Sequence, residues 1–246
     1  MAILVTGGTK GIGFAIARRF AKSDVDVFLN FRSDRTAADR AKAEIEAAGA
    51  RCHLIQGDVG TPDGARAVLA AVAAQTDQLD QLVHCAVKVI PEPLLAIDPV
   101  ALTEAINLNG TAVVYLAQAA LPLFRPGSTV FFLSSRGSRT VLPNYAAVGA
   151  GKSLAESLIR YLALELAPLG VRANCVAPSA VDTEALRQVY GAQTDAIMRQ
   201  SAAASPSGRN VVDDDYCSLI EYLASPSAAM IQGQVVFVTG GGYLAA

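Results

Sequence analysis

The stretch Thr6-Gly7-Gly8-Thr9-Lys10-Gly11-Ile12-Gly13 decides the predicted fold of this 246-residue chain. It follows the apolar run Ile3–Val5, which is typical of a buried strand, and it opens a run with apolar side chains at Ile12, Ile16 and Phe20. Glycines between a strand and a helix let the backbone turn tightly and approach a phosphate, which the amino end of the helix attracts. The stretch therefore predicts a dinucleotide-binding loop, although a glycine-rich turn without a ligand has the same composition.

Short apolar runs alternate with alanine-rich runs of helical period, the first of which is predicted over residues 12–29. Because the short runs are continuously apolar, they predict strands that are buried on both faces of a parallel sheet. The predicted strands are Ile3–Val5, Val25–Asn30, Cys52–Gln56, Leu82–Cys85, Thr129–Leu133, Val171–Val176 and Val235–Val238. We expect one Rossmann-like α/β domain over residues 1–246, with a doubly wound parallel sheet of about seven strands and helices on both faces.

Composition narrows the class of protein and its partners. The chain is 52% hydrophobic with a formal net charge of −2 and no basic cluster, which argues against nucleic acid or an anionic membrane as a partner. Apolar runs such as Val113–Leu116 are too short to span a bilayer. The first strand begins at the amino end, so we expect no signal peptide and a cytoplasmic location.

Cysteine and histidine patterns predict no metal site and no disulfide. The four cysteines lie far apart without a Cys-x-x-Cys pair, and only two histidines are present. This spacing is typical of reduced, buried thiols. The residues concerned are Cys52, Cys85, Cys175, Cys217, His53 and His84.

A tyrosine and a lysine stand seven residues apart, at Tyr145 and Lys152, in a run of helical character. Seven residues are almost two helical turns, so both side chains share one face. A cationic neighbour makes the charged form of a phenol easier to reach, which suits a proton donor. The pair alone decides nothing, since this spacing also occurs by chance.

The glycine spacing of the loop, at Gly7, Gly11 and Gly13, resembles that of the short-chain dehydrogenase/reductase family, and the resemblance covers essentially the whole chain. It implies that Ser135, Tyr145 and Lys152 are catalytic. Asn107 matches the family's helix asparagine, which holds a water that feeds a proton relay to the lysine; an ordinary helix residue is the alternative.

One segment departs from the family pattern. After the fourth strand the family usually carries Asn-Asn-Ala-Gly, whereas this chain has His84-Cys85-Ala86-Val87 and keeps only the alanine. The asparagine contacts are therefore expected to be lost. His84 is a candidate acid, but a histidine at the end of a strand is more often packed for structure.

The position of the tyrosine points to the reaction type. Ketone-reducing members place it four residues before the lysine, at Val148 here, whereas Tyr145 lies about one turn earlier. The run from Ser134 to Lys152 resembles enoyl-acyl-carrier-protein reductases, most closely the NADPH-using type III enzymes. In a ketone the carbon that receives hydride also bears the oxygen. In an enoyl thioester, hydride goes to the β-carbon and negative charge gathers on the thioester oxygen, so the hydrogen-bond donor must lie at a different distance from the nicotinamide.

The second strand and the loop indicate which dinucleotide binds. No acid ends the strand Val25–Asn30, no carboxylate competes nearby, and Arg32 and Lys10 supply two cations, which favours NADP(H) over NAD. Asp58 and Val59 resemble the family's adenine-contacting pair. The full set of predicted cofactor contacts is Gly7, Thr9, Lys10, Gly11, Ile12, Gly13, Arg32, Ser33, Asp58, Val59, Ala86, Lys152, Pro178, Val181 and Thr183.

The expected activity is NADPH-dependent reduction of an enoyl thioester on acyl carrier protein or coenzyme A, in metabolism of the fatty-acid or polyketide type. One alternative is a ketoreductase that acts on a 3-oxoacyl or polyketide chain, and another is a catalytically silent NADP-binding subunit. The excursion over residues 184–214 predicts a substrate lid or a long surface connection. By the family's analogy we expect a homotetramer or homodimer.

Overall fold

Seven parallel strands form one sheet in the computed structural model, which describes residues 1–243. The strands are β1 (Ala2–Thr6), β2 (Asp26–Phe31), β3 (Arg51–Gln56), β4 (Gln81–His84), β5 (Thr129–Leu133), β6 (Arg172–Pro178) and β7 (Val235–Val238). Their order across the sheet is β3-β2-β1-β4-β5-β6-β7, and every neighbouring pair is parallel. The predicted doubly wound sheet is confirmed, and each predicted strand ends within two residues of an observed one.

Helices cover both faces of this sheet. Over the described residues they are α1 (Gly11–Phe20), α2 (Arg35–Ala47), α3 (Pro62–Ala73), α4 (Pro99–Ile106), α5 (Ala112–Ala120), α6 (Ala146–Leu166), α7 (Glu184–Tyr190), α8 (Thr194–Ala204) and α9 (Asp213–Ala224). One face is packed by α1, α2 and α9 through buried residues such as Ile16 and Ile220. The other is packed by α3, α5 and α6 through residues such as Leu116 and Ile159. Apolar stripes at helical spacing produce both layers.

The first helix is shorter than predicted. Helix α1 ends at Phe20, so the prediction of a helix over residues 12–29 is wrong beyond that point. Asp24 adopts a left-handed backbone conformation, with φ of 66°, and turns the chain into β2. Residues from Asp26 onward then pair with β1, because an apolar strand gains a full ladder of hydrogen bonds there.

A long apolar helical run passes along one face of the sheet. Residues Pro99–Leu123 are long and apolar enough to cross a membrane by length and composition alone, and the short apolar run Val113–Leu116 lies within them. In the folded chain 44% of the tested window is buried inside the protein. Core helices of globular proteins pass the same test, and α5 packs against α3 here.

The connections leave a crevice at one end of the sheet. Strand β1 lies between β2 and β4. The strands β2 and β3 follow it on one side of the sheet, and the chain then returns to place β4 on the other side of β1. Ligands of open α/β sheets bind at the carboxyl ends of the strands at such a switch point. Gly7, Cys85 and Ser134 directly follow β1, β4 and β5, and they therefore meet at this crevice.

Candidate active site

A cavity of about 920 Å³ opens at the carboxyl ends of the strands. Every predicted cofactor contact from Gly7 to Thr183 lines it, and so do Ser135 and Tyr145. Asn107 does not line it. The topology thus brings together residues from six separate connections between strands, while the role of each residue stays a prediction.

The glycine loop is shaped by close backbone approaches. Gly7 has φ of 61°, and a Cβ there would lie 2.8 Å from Ala86 Cα, so the turn after β1 packs directly on the segment after β4. A Cβ at Gly13 would lie 2.4 Å from the Gly7 carbonyl oxygen. Side chains at these two positions would therefore push α1 away from the crevice.

The amino end of α1 is suited to an anion. No side chain caps this helix and its first turn carries no acid, whereas Asp34, Thr61 and Asp98 cap α2, α3 and α4. Its first backbone N–H groups therefore have no side-chain acceptor and carry the positive end of the helix dipole. These features fit the pyrophosphate of a dinucleotide.

The cation predicted at Lys10 is paired in the folded chain. Its Nζ lies 2.6 Å from Asp34 Oδ2 and 2.8 Å from Glu184 Oε2. The expectation that no carboxylate competes near the end of β2 is therefore wrong, since Asp34 also lines the cavity. Arg32 is more loosely held, with Nη1 4.0 Å from Asp58 Oδ2.

These ion pairs also set the charge at the end of the cavity next to β2, which we call the corner. The hydrogen bond to Asp34, followed by that to Glu184, raises the pKa of Lys10, and the bond to Lys10 lowers the pKa of Asp34. Lys10 and Asp34 thus remain charged and largely neutralise each other. Arg32 is left as the cation most available to a ligand in this corner.

His84 is a structural residue in the fold. Its Nδ1 lies 2.6 Å from Thr6 Oγ1, and its Nε2 lies 2.9 Å from the Leu108 carbonyl oxygen. A carbonyl only accepts, so Nε2 carries the proton and Nδ1 accepts from the threonine hydroxyl. Burial lowers the pKa of His84 to about 4, which keeps it neutral. The imidazole therefore ties β1 to the turn between α4 and α5, and it is not poised as an acid.

Replacing His84 by Asn is expected to remove an acid sensitivity of the fold. Below pH 6.5 an unfolded chain binds a proton at this imidazole, but the folded chain does not until the pH approaches 4. The free energy of unfolding should therefore fall by about 3 kcal/mol across that window in the native chain. Urea denaturation of both proteins at pH 7.5 and 4.5 measures the difference. An equal acid loss in both would contradict this assignment.

Tyr145 and Ser135 contact each other in the cavity. The Tyr145 hydroxyl lies 3.3 Å from Ser135 Oγ, which accepts a further hydrogen bond of 3.1 Å from the Gly137 N–H. Burial raises the pKa of the Tyr145 phenol, while the bond to Ser135 opposes that rise. The phenol is therefore protonated and able to donate at neutral pH.

The backbone places the Tyr145 ring. Tyr145 is the residue that caps α6 rather than part of its first turn, and Asn144 before it has φ of 57°. Asparagine tolerates this left-handed conformation better than most residues. A Cβ at Gly137 would lie 2.5 Å from Tyr145 Cε1, so the loop backbone packs directly on the ring.

Lys152 is held at the base of the cavity. Its Nζ donates to the Leu133 carbonyl oxygen and lies 5.4 Å from the centroid of the Phe132 ring. Burial lowers the pKa of Lys152 to about 8. The ammonium is therefore fixed on the end of β5, and its charge is easily lost at alkaline pH.

Asn107 makes a local contact instead of a cavity contact. It ends α4 and begins a π-helical turn over Asn107–Thr111, where its Oδ1 lies 3.4 Å from Thr111 Oγ1. The neighbouring Asn109, which was not predicted, is buried and bonds both Lys88 and the Ala147 carbonyl oxygen. Asn109 therefore ties the π turn to the start of α6, and its role depends on a contact that sequence spacing does not show.

The excursion over residues 184–214 is mostly helical. It contains α7 and α8, and it supplies Leu186, Val189, Tyr190 and Ile197 to the lining of the cavity. Arg136 from the loop after β5 also lines the cavity. Leu186, Val189 and Ile197 thus give this side of the cavity apolar surface beside the polar Gln188, Gln200 and Ser201, and Arg136 is an exposed cation. Sequence reasoning located the excursion but not these side chains.

The fold and cavity define a Rossmann-like α/β protein in which Ser135, Tyr145 and Lys152 line the same cavity as a glycine loop. The chain belongs to the short-chain dehydrogenase/reductase family: residues 7–243 match the family model described as enoyl-(acyl carrier protein) reductase. It is therefore an NAD(P)-dependent oxidoreductase of that family.

Individual relatives carry different activities. The chain is 31% identical to 1-cyclohexenylcarbonyl-CoA reductase of Streptomyces collinus over 97% of this chain and 85% of that protein. It is 30% identical to a 3-oxoacyl-[acyl-carrier-protein] reductase of Staphylococcus aureus, over 98% and 97%. A short-chain dehydrogenase of Burkholderia cenocepacia, solved in complex with NADP, superposes with a TM-score of 0.87 at 28% identity, over 98% and 96%.

Proposed function

We propose that this protein is an NADPH-dependent reductase of the double bond of an enoyl thioester, carried on acyl carrier protein or coenzyme A. The observation that carries the proposal is the place of Tyr145, at the cap of α6 and seven residues before Lys152. Its half-buried phenol opens onto the same cavity as the glycine loop. Val148, the usual position in ketone-reducing members, is occupied by an apolar side chain.

The chain's residues divide the work. When bound, NADPH supplies a hydride to the β-carbon of the substrate. Tyr145 donates a hydrogen bond to the thioester oxygen, where the negative charge of the enolate gathers. Ser135 holds the phenol, and Lys152 adds a positive charge at the base of the cavity. The apolar residues of α7 and α8 exclude water from the acyl chain.

The comparisons and the geometry of the site favour different reactions. The similarity to a reductase of 1-cyclohexenylcarbonyl-CoA and the family description favour an enoyl thioester. The 3.3 Å contact between Ser135 and Tyr145 favours reduction of a 3-oxoacyl carbonyl instead, because a serine and a tyrosine together can bind one carbonyl oxygen. A ketoreductase is therefore the second candidate.

Parallel assays with crotonyl-CoA and acetoacetyl-CoA separate the two candidates. With NADPH in excess, the enoyl proposal expects faster oxidation of NADPH with crotonyl-CoA than with acetoacetyl-CoA. A preference for acetoacetyl-CoA would establish the ketoreductase instead. Tight NADPH binding without turnover of either thioester, or of their acyl-carrier-protein forms, would support a silent subunit.

The preference for NADPH over NADH belongs to the same proposal. Arg32, Ser33 and Lys10 surround the corner of the cavity beyond β2, which suits a 2′-phosphate. Assembly into a homotetramer or homodimer is likewise proposed, since the residues of β7 are only half-buried in the single chain. A cytoplasmic location stays a prediction.

Replacing Arg32 by Met is expected to lower kcat/KM for NADPH about tenfold, because the cation most available to the 2′-phosphate is lost. The value for NADH should change less than threefold, since NADH lacks that phosphate. Initial rates with both cofactors measure the ratio. Arg66→Gln, an exposed charge on α3, is the control and should leave both values unchanged. An equal loss with both cofactors would contradict the assignment.

A further inference from the structure

Glu156 is a buried carboxylate close to the catalytic residues. Its residue exposure is 4%, and no other Asp, Glu, Lys or Arg of the described chain is buried to that degree. It lies on α6 one turn after Lys152. Burying a carboxylate is costly unless hydrogen-bond donors surround it, so its partners indicate why the fold tolerates it.

All of its partners lie on the loop that carries Ser135. Glu156 Oε1 accepts from Ser134 Oγ at 2.6 Å and from Ser138 Oγ at 2.5 Å. Its Oε2 accepts from Arg139 Nε at 3.1 Å. One carboxylate therefore bonds the residue before Ser135 and two residues just after it, and it attaches this loop to α6.

The loop is closed around Ser135 by a second set of contacts. The Ser138 hydroxyl also lies 2.8 Å from the Ser135 carbonyl oxygen, and the Ser138 N–H donates to that oxygen at 3.1 Å. The Ser135 hydroxyl then meets Tyr145. Displacing Ser138 would therefore move Ser135, and with it the hydrogen-bond partner of the phenol.

Arg139 is fixed on its other side by the last strand. Its guanidinium carbon lies 4.9 Å from the centroid of the Phe237 ring, and that ring packs against Tyr243 with centroids 4.8 Å apart. Arg139 is thus held between the Glu156 carboxylate and an aromatic face. The loop, α6 and β7 are joined through this one side chain.

We propose that Glu156 is a positioning residue, which holds Ser135 and thereby the Tyr145 phenol in place for the reaction. Helix α6 then carries Tyr145 at its cap and Lys152 two turns later. Glu156, which aligns Ser135, follows Lys152 by one turn. The inference rests on the proposed function of Ser135 and Tyr145, and it adds a residue that makes no contact with the cavity.

Glu156 also acts on Lys152 through its charge. Burial dominates the lowered pKa of Lys152, and the Glu156 carboxylate on α6 opposes that shift. The other titratable groups nearby, His84 and the thiols of Cys85 and Cys175, are neutral. Removing the Glu156 charge should therefore lower the pKa of Lys152 further below about 8.

The test compares Glu156→Gln with the native protein and with Glu165→Gln, which removes an exposed carboxylate from the same helix. Gln keeps one acceptor for the serines but loses the charge and the bond to Arg139. We expect kcat to fall about 10- to 100-fold, as a displacement of reacting groups by an ångström does. The alkaline limb of the pH profile should move to lower pH, and the dissociation constant for NADPH should stay within twofold.

Hydrogen exchange provides a readout that needs no turnover. Amides of residues 134–145 should exchange faster in Glu156→Gln, while those of the glycine loop should not change. If neither thioester is a substrate of the native protein, the proposed function fails, but this measurement still decides the role of Glu156. Ser138→Ala is a milder variant with an expected threefold to tenfold loss of kcat. Native kcat with unchanged exchange, or equal loss of NADPH affinity and of global stability, would overturn the inference.

Discussion

Replacing Tyr145 by Phe is expected to lower kcat for the enoyl thioester about 10²- to 10³-fold, the usual effect of removing one donor to a developing oxyanion. The phenol is the donor that reaches this cavity from the cap of α6. Its ring packs against Gly137, and Phe preserves that contact. The dissociation constant for NADPH should therefore stay within twofold of the native value.

Single-turnover rates at saturating NADPH measure this effect without a contribution from product release. The matched control is Tyr161→Phe, which removes an exposed phenol from the same helix and should leave the rate unchanged. A rate for Tyr145→Phe within threefold of the native rate would show that Tyr145 does not stabilise the enolate. Ser135→Ala should then be tested as the remaining donor to the substrate.

Replacing Lys152 by Met should lower kcat/KM for NADPH about 10²- to 10³-fold, because both the proposed cofactor contact and a half-buried positive charge are lost. Unlike Tyr145→Phe, this change should weaken NADPH binding as well as turnover. The bond from Lys152 to the Leu133 carbonyl oxygen is also lost, so the end of β5 becomes less well ordered. Lys22→Met, at an exposed lysine, is the control.

The native protein should show the same lysine in its pH profile. Burial lowers the pKa of Lys152 to about 8, so the ammonium form is present below that pH and is lost above it. We expect kcat/KM for NADPH to fall on the alkaline side with an apparent pKa near 8. Measurement from pH 6 to 10 tests this, and a flat profile throughout would contradict it. The free energy of unfolding should change in the opposite direction and rise with pH between about 8 and 10.5, because an unfolded chain still holds this proton up to about pH 10.5.

The strands and the cavity were predictable because they depend on local patterns. A strand buried on both faces must be continuously apolar, and β1 and β5 inside the sheet show this pattern most clearly. The edge strands β3 and β7 are only partly buried, but their apolar residues still mark their positions. The glycine loop is equally local, because Gly7, Gly11 and Gly13 lie within seven residues between a strand and a helix. Where two such patterns adjoin, as at residues 12–29, the end of the helix depends on pairing of Asp26 onward with β1.

Contacts between distant segments were not predictable. Lys10 meets Glu184 across 174 positions, and the sequence alone does not show that this cation is paired. His84 replaces a family asparagine, yet its two hydrogen bonds to Thr6 and Leu108 follow only from the pairing of β1 with β4. Asn107 matches the family position, but its side chain stays on its own helix turn.

By itself, the sequence determined the α/β class, the parallel sheet, the phosphate loop and the spacing of Ser135, Tyr145 and Lys152. Each of these features depends on residues that are close together along the chain. The tertiary structure alone decided which charges neutralise each other, that His84 is neutral, and that Glu156 joins the catalytic loop to α6. These properties depend on burial and on distances of about 3 Å between segments far apart in sequence. Only the packed sheet and its helices establish such distances.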